Sequence, residues 1–293
     1  MLMSEVALQQ QSQWEILNLY NLILDSGAFS AWTKKAEVNI DQYAEFILQH
    51  IDYISYVVNL DVIPGEWGRI PTVKESELSC QKGFENYYYL LEKGVPKEKL
   101  IHVFHQGDSF KWLQKMMKEC TDYIGISPAN DKTTSQKMKW LDEVYGDYIC
   151  DCEGISKIRT HGFGVTAPEL LLRYPWYSVD SATWVLQAAF GSCLIPIYSE
   201  ENGCDFSKVP LSVTFSLENK SKRAFNYNYN LSGYVKKMVD NYLNFIGLCP
   251  EKLKEFREYR CSCNLLYFKG LQEYVTSNPP IFKKPVNRIR RFL

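Results

Sequence analysis

No stretch of this 293-residue chain approaches the roughly 18–20 consecutive apolar residues that a membrane-spanning helix needs, so no membrane partner is expected. The segment Met1 to Trp14 has no basic stretch followed by an apolar core, so no secretory signal is expected either, and the setting is read as cytoplasmic. Internal repeats and low-complexity segments are missing. Neither sign of charge dominates, because 33 Lys and Arg stand against 34 Asp and Glu. Such a balance gives no global nucleic-acid signal. Histidine is scarce, with four in all and none after His161. The nine cysteines are an odd, scattered set, which suits reduced thiols better than a disulfide framework.

What is present is a repeated grammar of apolar run, special residue, then amphipathic helix. Leu19 to Leu24 reads as a strand followed by Asp25-Ser26-Gly27, and Asp41 to Ile51 has helical spacing. Tyr53 to Leu60 is β-rich and ends at Asp61. Val73 to Lys93 reads as a helix stopped by Gly94, with Pro96 beyond. Leu100 to Phe104 leads into His105-Gln106-Gly107, and Phe110 to Cys120 is helical. Tyr123 to Ile126 precedes Ser127-Pro128, and Gln136 to Tyr145 is helical. Ile158 to Phe163 leads into Gly164-Val165-Thr166, and Pro168 to Arg173 is a short helix. Trp176 to Val179 then ends on Asp180.

Six βα units in a row predict a parallel sheet with helices packed outside. Cys193 to Tyr198 and Leu211 to Phe215 are the expected seventh and eighth strands. The predicted fold class is therefore α/β, a TIM (β/α)8 barrel with a small helical C-terminal extension. The expected divisions are a barrel region over 1–230, a helical segment closing or capping it over 231–280, and a basic tail over 281–293. An open doubly wound sheet is the alternative, but no glycine-rich dinucleotide turn follows the first strand. Asp25, Asp61, Gln106, Ser127, Gly164 and Asp180 each lie just past a predicted strand. An acid at the end of a buried strand must be paired, hydrogen-bonded or used in chemistry. Closing the barrel would bring all six to one mouth.

Those strand ends, in this order, resemble the tRNA-guanine transglycosylase superfamily. The matching pieces are Asp25-Ser26-Gly27-Ala28-Phe29, Asn59-Leu60-Asp61, His105-Gln106-Gly107, Gly125-Ile126-Ser127, His161 to Thr166 and Val179-Asp180-Ser181. The short chain looks most like the compact phage and bacterial DpdA-type deazaguanine DNA transglycosylases, which would place a phage-encoded copy in the host cytoplasm. The resemblance implies exchange of guanine in a polynucleotide, DNA favoured and tRNA the alternative, for a free 7-deazaguanine such as 7-cyano-7-deazaguanine. It implies Asp180 as nucleophile and Asp25 as acid/base. It further implies that Ser26, Gly27, Phe29, Asp61, Gln106, Gly125, Ser127, His161 and Gly164 surround the base, with Phe29 stacked on one face and His161 on the other. His105 carries no role from the family and is read as structural.

The chemistry of those residue types agrees. A carboxylate is ionised at neutral pH and needs no base to activate it as a nucleophile. A second carboxyl beside it would have the raised pKa that proton transfer requires. An Asp and a Gln together match the donor and acceptor edge of guanine. The plain alternatives are a helix cap for Asp180, a turn for Asp25 and Asp61, a core ring for Phe29 and a structural imidazole for His161.

The tRNA members carry Cys-x-Cys-x-x-Cys and a distant His. This chain has Cys261 and Cys263, but Leu266 stands at the third position, so no metal or other cofactor is expected. The tail residues Lys283, Lys284, Arg288, Arg290 and Arg291 are candidate phosphate contacts. An N-glycoside hydrolase using the same carboxylates, or a non-catalytic barrel that binds a base or nucleic acid, are the competing functions.

Overall fold

The computed structural model describes residues 2–4, 21–65, 69, 71–217, 226–229 and 233–285. The chain divides into two compact units, each described by itself. The first comprises Met1–Gly164, Trp176–Asp180 and Lys283–Leu293; the second comprises Val165–Pro175 and Ser181–Phe282.

The first unit is α/β. Its strands are β1 (Leu2–Ser4), β2 (Ile23–Asp25), β3 (Tyr56–Val58), β4 (Leu100–Ile101), β5 (Val103–His105), β6 (Tyr123–Ser127), β7 (Arg159–Gly162) and β8 (Ser178–Val179). Its helices are α1 (Ala28–Thr33), α2 (Ile40–His50), α3 (Val73–Glu92), α4 (Phe110–Glu119) and α5 (Thr134–Glu143). All strand pairings in this unit are parallel and follow chain order, β1-β2-β3-β4 and then β5-β6-β7-β8. β4 and β5 are one run interrupted only by His102. Asn59 Nδ2 donates to the Gly83 carbonyl and stands 3.0 Å from His102 Nδ1. Burial pushes the His102 imidazole down to about 3, so the ring is neutral and Nδ1 is free to accept.

Two side-chain sets explain the layers. Leu22, Leu24, Val57 and Leu100 point outward and meet Tyr43, Ala44 and Ile47 of α2 and Tyr87 and Leu90 of α3. The spacings of those helical residues match a 3.6-residue period. Alternate strand residues Ile23, Val58, Ile101, Val103 and Tyr123 form a separate cluster with Tyr56 and Phe163. That cluster belongs to the other face, because successive strand side chains alternate. Helix starts are locally encoded: Thr72 with Glu75 and Thr133 with Gln136 make capping boxes at α3 and α5.

The second unit holds α6 (Pro168–Leu171), α7 (Thr183–Ala189), β9 (Ser192–Ile195), β10 (Ile197–Ser199), β11 (Gly203–Asp205), β12 (Leu211–Thr214), β13 (Asn226–Asn228), α8 (Gly233–Phe245), α9 (Pro250–Glu255) and α10 (Arg257–Ser277). The two late apolar runs do form strands, β9 and β12, but they are not added to the parallel sheet. They pair antiparallel with each other, and β13 joins β12 in parallel. The segment between them is spent on the β10–β11 hairpin, whereas a parallel pairing needs a long crossover. Cys193, Val213, Phe215, Tyr242 and Cys263 lie in the core of this unit. The buried Asn264 accepts from Leu194 N and donates to the carbonyls of Trp184 and Ser192. Among the described residues no helix is long and apolar enough to cross a membrane.

Candidate active site at the strand ends

Asp25 ends β2, Asp61 follows β3, His105 ends β5 with Gln106 next, Ser127 ends β6, Gly164 follows β7 and Asp180 follows β8. Parallel pairing puts Asp25 and Asp61 at the C-terminal edge of the β1–β4 sheet, and His105, Gln106, Ser127, Gly164 and Asp180 at the C-terminal edge of the β5–β8 sheet, the two sheets being joined through the β4–β5 run.

Asp25 is partly buried. Burial first, then the negative charges of Asp61 and Asp180, push its carboxyl from 3.8 up to about 6; the N–H groups of Gly27 and Ser26 pull the other way. Gly27 adopts φ 72° at the start of α1, a left-handed conformation that a side chain disfavours. Phe29 follows on α1, 45 % exposed, with its ring 6.0 Å from that of Trp32.

Asp61 is gripped from two sides. Ser26 Oγ donates to Oδ1 at 3.4 Å, and His105 Nε2 stands 2.7 Å from Oδ2. The second contact is an ion-pair distance, off the line of a well-formed hydrogen bond. Burial alone would push Asp61 up and His105 down. Their mutual attraction outweighs it, so Asp61 is held below its ordinary value and His105 above. Asp108 Oδ2 accepts the His105 backbone N–H at 2.9 Å and fixes the turn that carries Gln106. Gln106 Oε1 in turn accepts from Ala129 N at 3.0 Å. That bond orients the amide and leaves Nε2 as the donor end.

Asp180 Oδ1 accepts the Gly164 N–H at 3.1 Å and lies 3.3 Å from His161 Nε2. The family resemblance puts His161 on the open face of a base. In the structure its ring is 1 % exposed and enclosed by Ser178, Phe163 and Asp180, so neither face is open to a base. Gly125, expected to offer its backbone to the base, is interior to β6 and donates to the His102 carbonyl at 2.8 Å. A Cβ there would come within 2.5 Å of the Phe163 ring, which accounts for the glycine by packing. The Ser127 carbonyl accepts the Gln106 N–H at 2.9 Å.

The structure therefore places Asp25, Ser26, Gly27, Asp61, Gln106, Ser127, Gly164 and Asp180 at the C-terminal ends of parallel strands. It adds His105, which the sequence reading sets aside as structural; Ser178, which opens β8, and Tyr123, at the start of β6, lie further back along the strands and reach the site only through His161. The i, i+2 rule was the available signal: Ser178 and Asp180 share a strand face.

Cations are less well placed. Lys284 pairs with Asp147, and Lys283 is exposed. Arg288, Arg290 and Arg291 lie outside the described residues. Arg159 starts β7, at the opposite edge from the acids, and is held by Asp122 and the Tyr56 hydroxyl, each at 2.8 Å. A small cleft beside Asp61 and His105 is lined by Cys80, Phe84, His102, Asp108 and Trp112, with residues of α3 and α4 in its wall, and includes neither Asp25 nor Asp180.

Cys263 is fully buried beside Cys193, where burial holds the Cys193 thiol well above its ordinary value. Among the described residues no three His, Cys, Asp or Glu are grouped to hold a metal. No family model and no curated protein matches the chain.

Proposed function

We propose that the chain is a base-exchange transglycosylase on a barrel of the (β/α)8 type, replacing guanine in a polynucleotide, DNA in the first instance, with a free 7-deazaguanine. The observation that carries this reading is that Asp25, Asp61, Gln106 and Asp180 all stand at the C-terminal ends of parallel strands, and the negative charge of Asp180 is among the influences that raise Asp25, after burial and Asp61. Asp25 ends β2 and Asp180 follows β8, five strand spacings apart when the two sheets are joined through the β4–β5 run. In a flat sheet that is about 24 Å, at about 4.8 Å per spacing, beyond effective reach through water. A curled sheet brings the two acids together. The Arg159 contact with Tyr56, from β7 to β3, supports the same curl at the other edge, as does an inner-face cluster made of strand residues without helices. Seven parallel runs are counted among the described residues when β4 and β5 are taken as one.

The roles follow from the charges. Asp180, with Oδ1 held by Gly164, presents Oδ2 to the sugar C1′. The C1′–O bond forms as the C1′–N9 bond breaks, and the electron pair leaves with guanine N9. Asp25, with a carboxyl near 6, is protonated often enough to give its proton to the departing base. Once ionised, it takes the proton from the incoming deazaguanine, whose nitrogen then displaces Asp180. Asp61 stays ionised beside His105 and accepts from the ring N–H and amino donors of the base, while Gln106 Nε2 donates to its carbonyl. Retaining glycosidases run on the same two-carboxylate logic. The DNA preference rests on the missing zinc set, which accompanies tRNA docking in the family.

Purified protein is incubated with guanine-labelled DNA, and separately tRNA, with and without 7-cyano-7-deazaguanine. Deazabase-dependent guanine release from DNA is the expected result. Release from tRNA alone moves the substrate to RNA. Release that needs no deazabase identifies a hydrolase, and no release with any substrate leaves a binding protein.

A further inference from the structure

We propose, resting on the transglycosylase reading, that Tyr123, Ser178 and His161 form a hydrogen-bond relay that sets the tautomer of His161 and thereby positions the Asp180 nucleophile. Tyr123 Oη lies 2.5 Å from Ser178 Oγ, and Ser178 Oγ lies 2.5 Å from His161 Nδ1. His161 and Ser178 are direct cross-strand partners, and Gly125 is the partner of His161 on its other side. His161 Nε2 is buried, and no partner completes a well-formed hydrogen bond to it; its nearest charged neighbour is Asp180 Oδ1 at 3.3 Å.

With a neutral ring, one assignment of protons satisfies every group. Tyr123 O–H donates to Ser178, Ser178 O–H donates to His161 Nδ1, and His161 Nε2–H faces Asp180. The opposite tautomer would aim a lone pair at a carboxylate. The relay moves no net proton. Its effect is geometric: the Gly164 N–H is hydrogen-bonded to Oδ1 and Nε2–H faces the same oxygen at 3.3 Å, which leaves Oδ2 as the attacking oxygen. During the covalent stage Oδ1 is the ester carbonyl and keeps both donors. When the incoming base displaces the ester, the returning negative charge meets donors already in place. These three residues act through Asp180, so they are positioning residues.

Two measurements test this together. Long-range 1H–15N spectra of the imidazole rings report tautomers directly, and with four histidines in the chain a His161→Asn variant assigns the signal. A neutral Nε2–H ring for His161 at pH 7, turning to mixed tautomers in Ser178→Ala, is expected. An Nδ1–H ring or an imidazolium overturns the relay. The second measurement compares two isosteric variants in formation of the covalent protein–DNA adduct. His161→Gln places an amide N–H near the Nε2 position, and adduct formation should stay within about tenfold of wild type. His161→Asn places its amide near Nδ1 and strands Asp180, and should slow the step about 100-fold while the dissociation constant of the free deazabase is unchanged. Equal rates in the two folded variants overturn the proposal. Wild-type protein that shows the Nε2–H tautomer but forms no adduct with any polynucleotide sinks the transglycosylase reading and leaves the relay standing.

Discussion

Asp25 and Asp61 are two carboxylates at the same sheet edge, and they go opposite ways. Burial pushes both upward. Asp25 has two backbone N–H groups beside it and negative neighbours, and its carboxyl rises to about 6. Asp61 has His105 at 2.7 Å and is held down. A single imidazole therefore decides which acid carries a proton and which stays an acceptor. That division of labour is what the proposed exchange of one base for another would use, since environments that separate the pKa values of paired acids separate their roles.

The comparison can be broken most forcefully at Asp25, the proposed proton donor. Asp25→Asn removes the transferable proton and should slow guanine release by about 1,000-fold, while free-base affinity changes little; a calorimetric loss of affinity instead would make Asp25 a base-reading group. His105→Gln makes Asp61 resemble Asp25 by taking away its counter-charge. Free-base affinity should fall about 100-fold, the range for leaving a buried charge without its partner, and titration calorimetry reads it.

Stability sharpens the contrast, with opposite signs. The folded pKa of Asp25 lies above its unfolded value, so ionisation opposes folding. The penalty is absent below about pH 3.8, grows as pH rises, and is complete above about 6. Asp25→Asn should therefore stabilise by up to about 3 kcal/mol at pH 8 and by nothing near pH 3. Asp61 is depressed, so its contribution is present above its unfolded pKa and is lost as pH falls through the folded one. Asp61→Asn should destabilise at pH 8. Urea titrations at the two pH values check both signs; the same sign for the two variants contradicts the account. The smallest effect belongs to Ser26→Ala, which removes the 3.4 Å hydroxyl bond to Asp61 and should cost about 0.5–1.5 kcal/mol, measured in the same titrations.

Much of this architecture is legible in the chain. Strand-end acids after short apolar runs, and helices with capping residues such as Thr72 and Thr133, mark the βα units to within a few residues. The destination of β9 and β12 is not legible, because an apolar run carries no record of its pairing partner. Residues 2–4 add β1 beside β2, a strand too short to stand out as an apolar run. The acids are visible as types, but their division is not, since it depends on His105 meeting Asp61 across 44 positions of chain. His161 is misplaced for a related reason: its position in a motif gives no information on burial, and cross-strand pairing with Ser178 turns it inward.

The most direct test of the central claim is the intact mass of the protein after acid quench of a reaction with a guanine-containing DNA oligonucleotide. The account predicts a species heavier by the oligonucleotide less guanine, mapped by peptide fragmentation to Asp180 and missing from Asp180→Asn. Guanine release with no such species, or an adduct that survives Asp180→Asn, would contradict it.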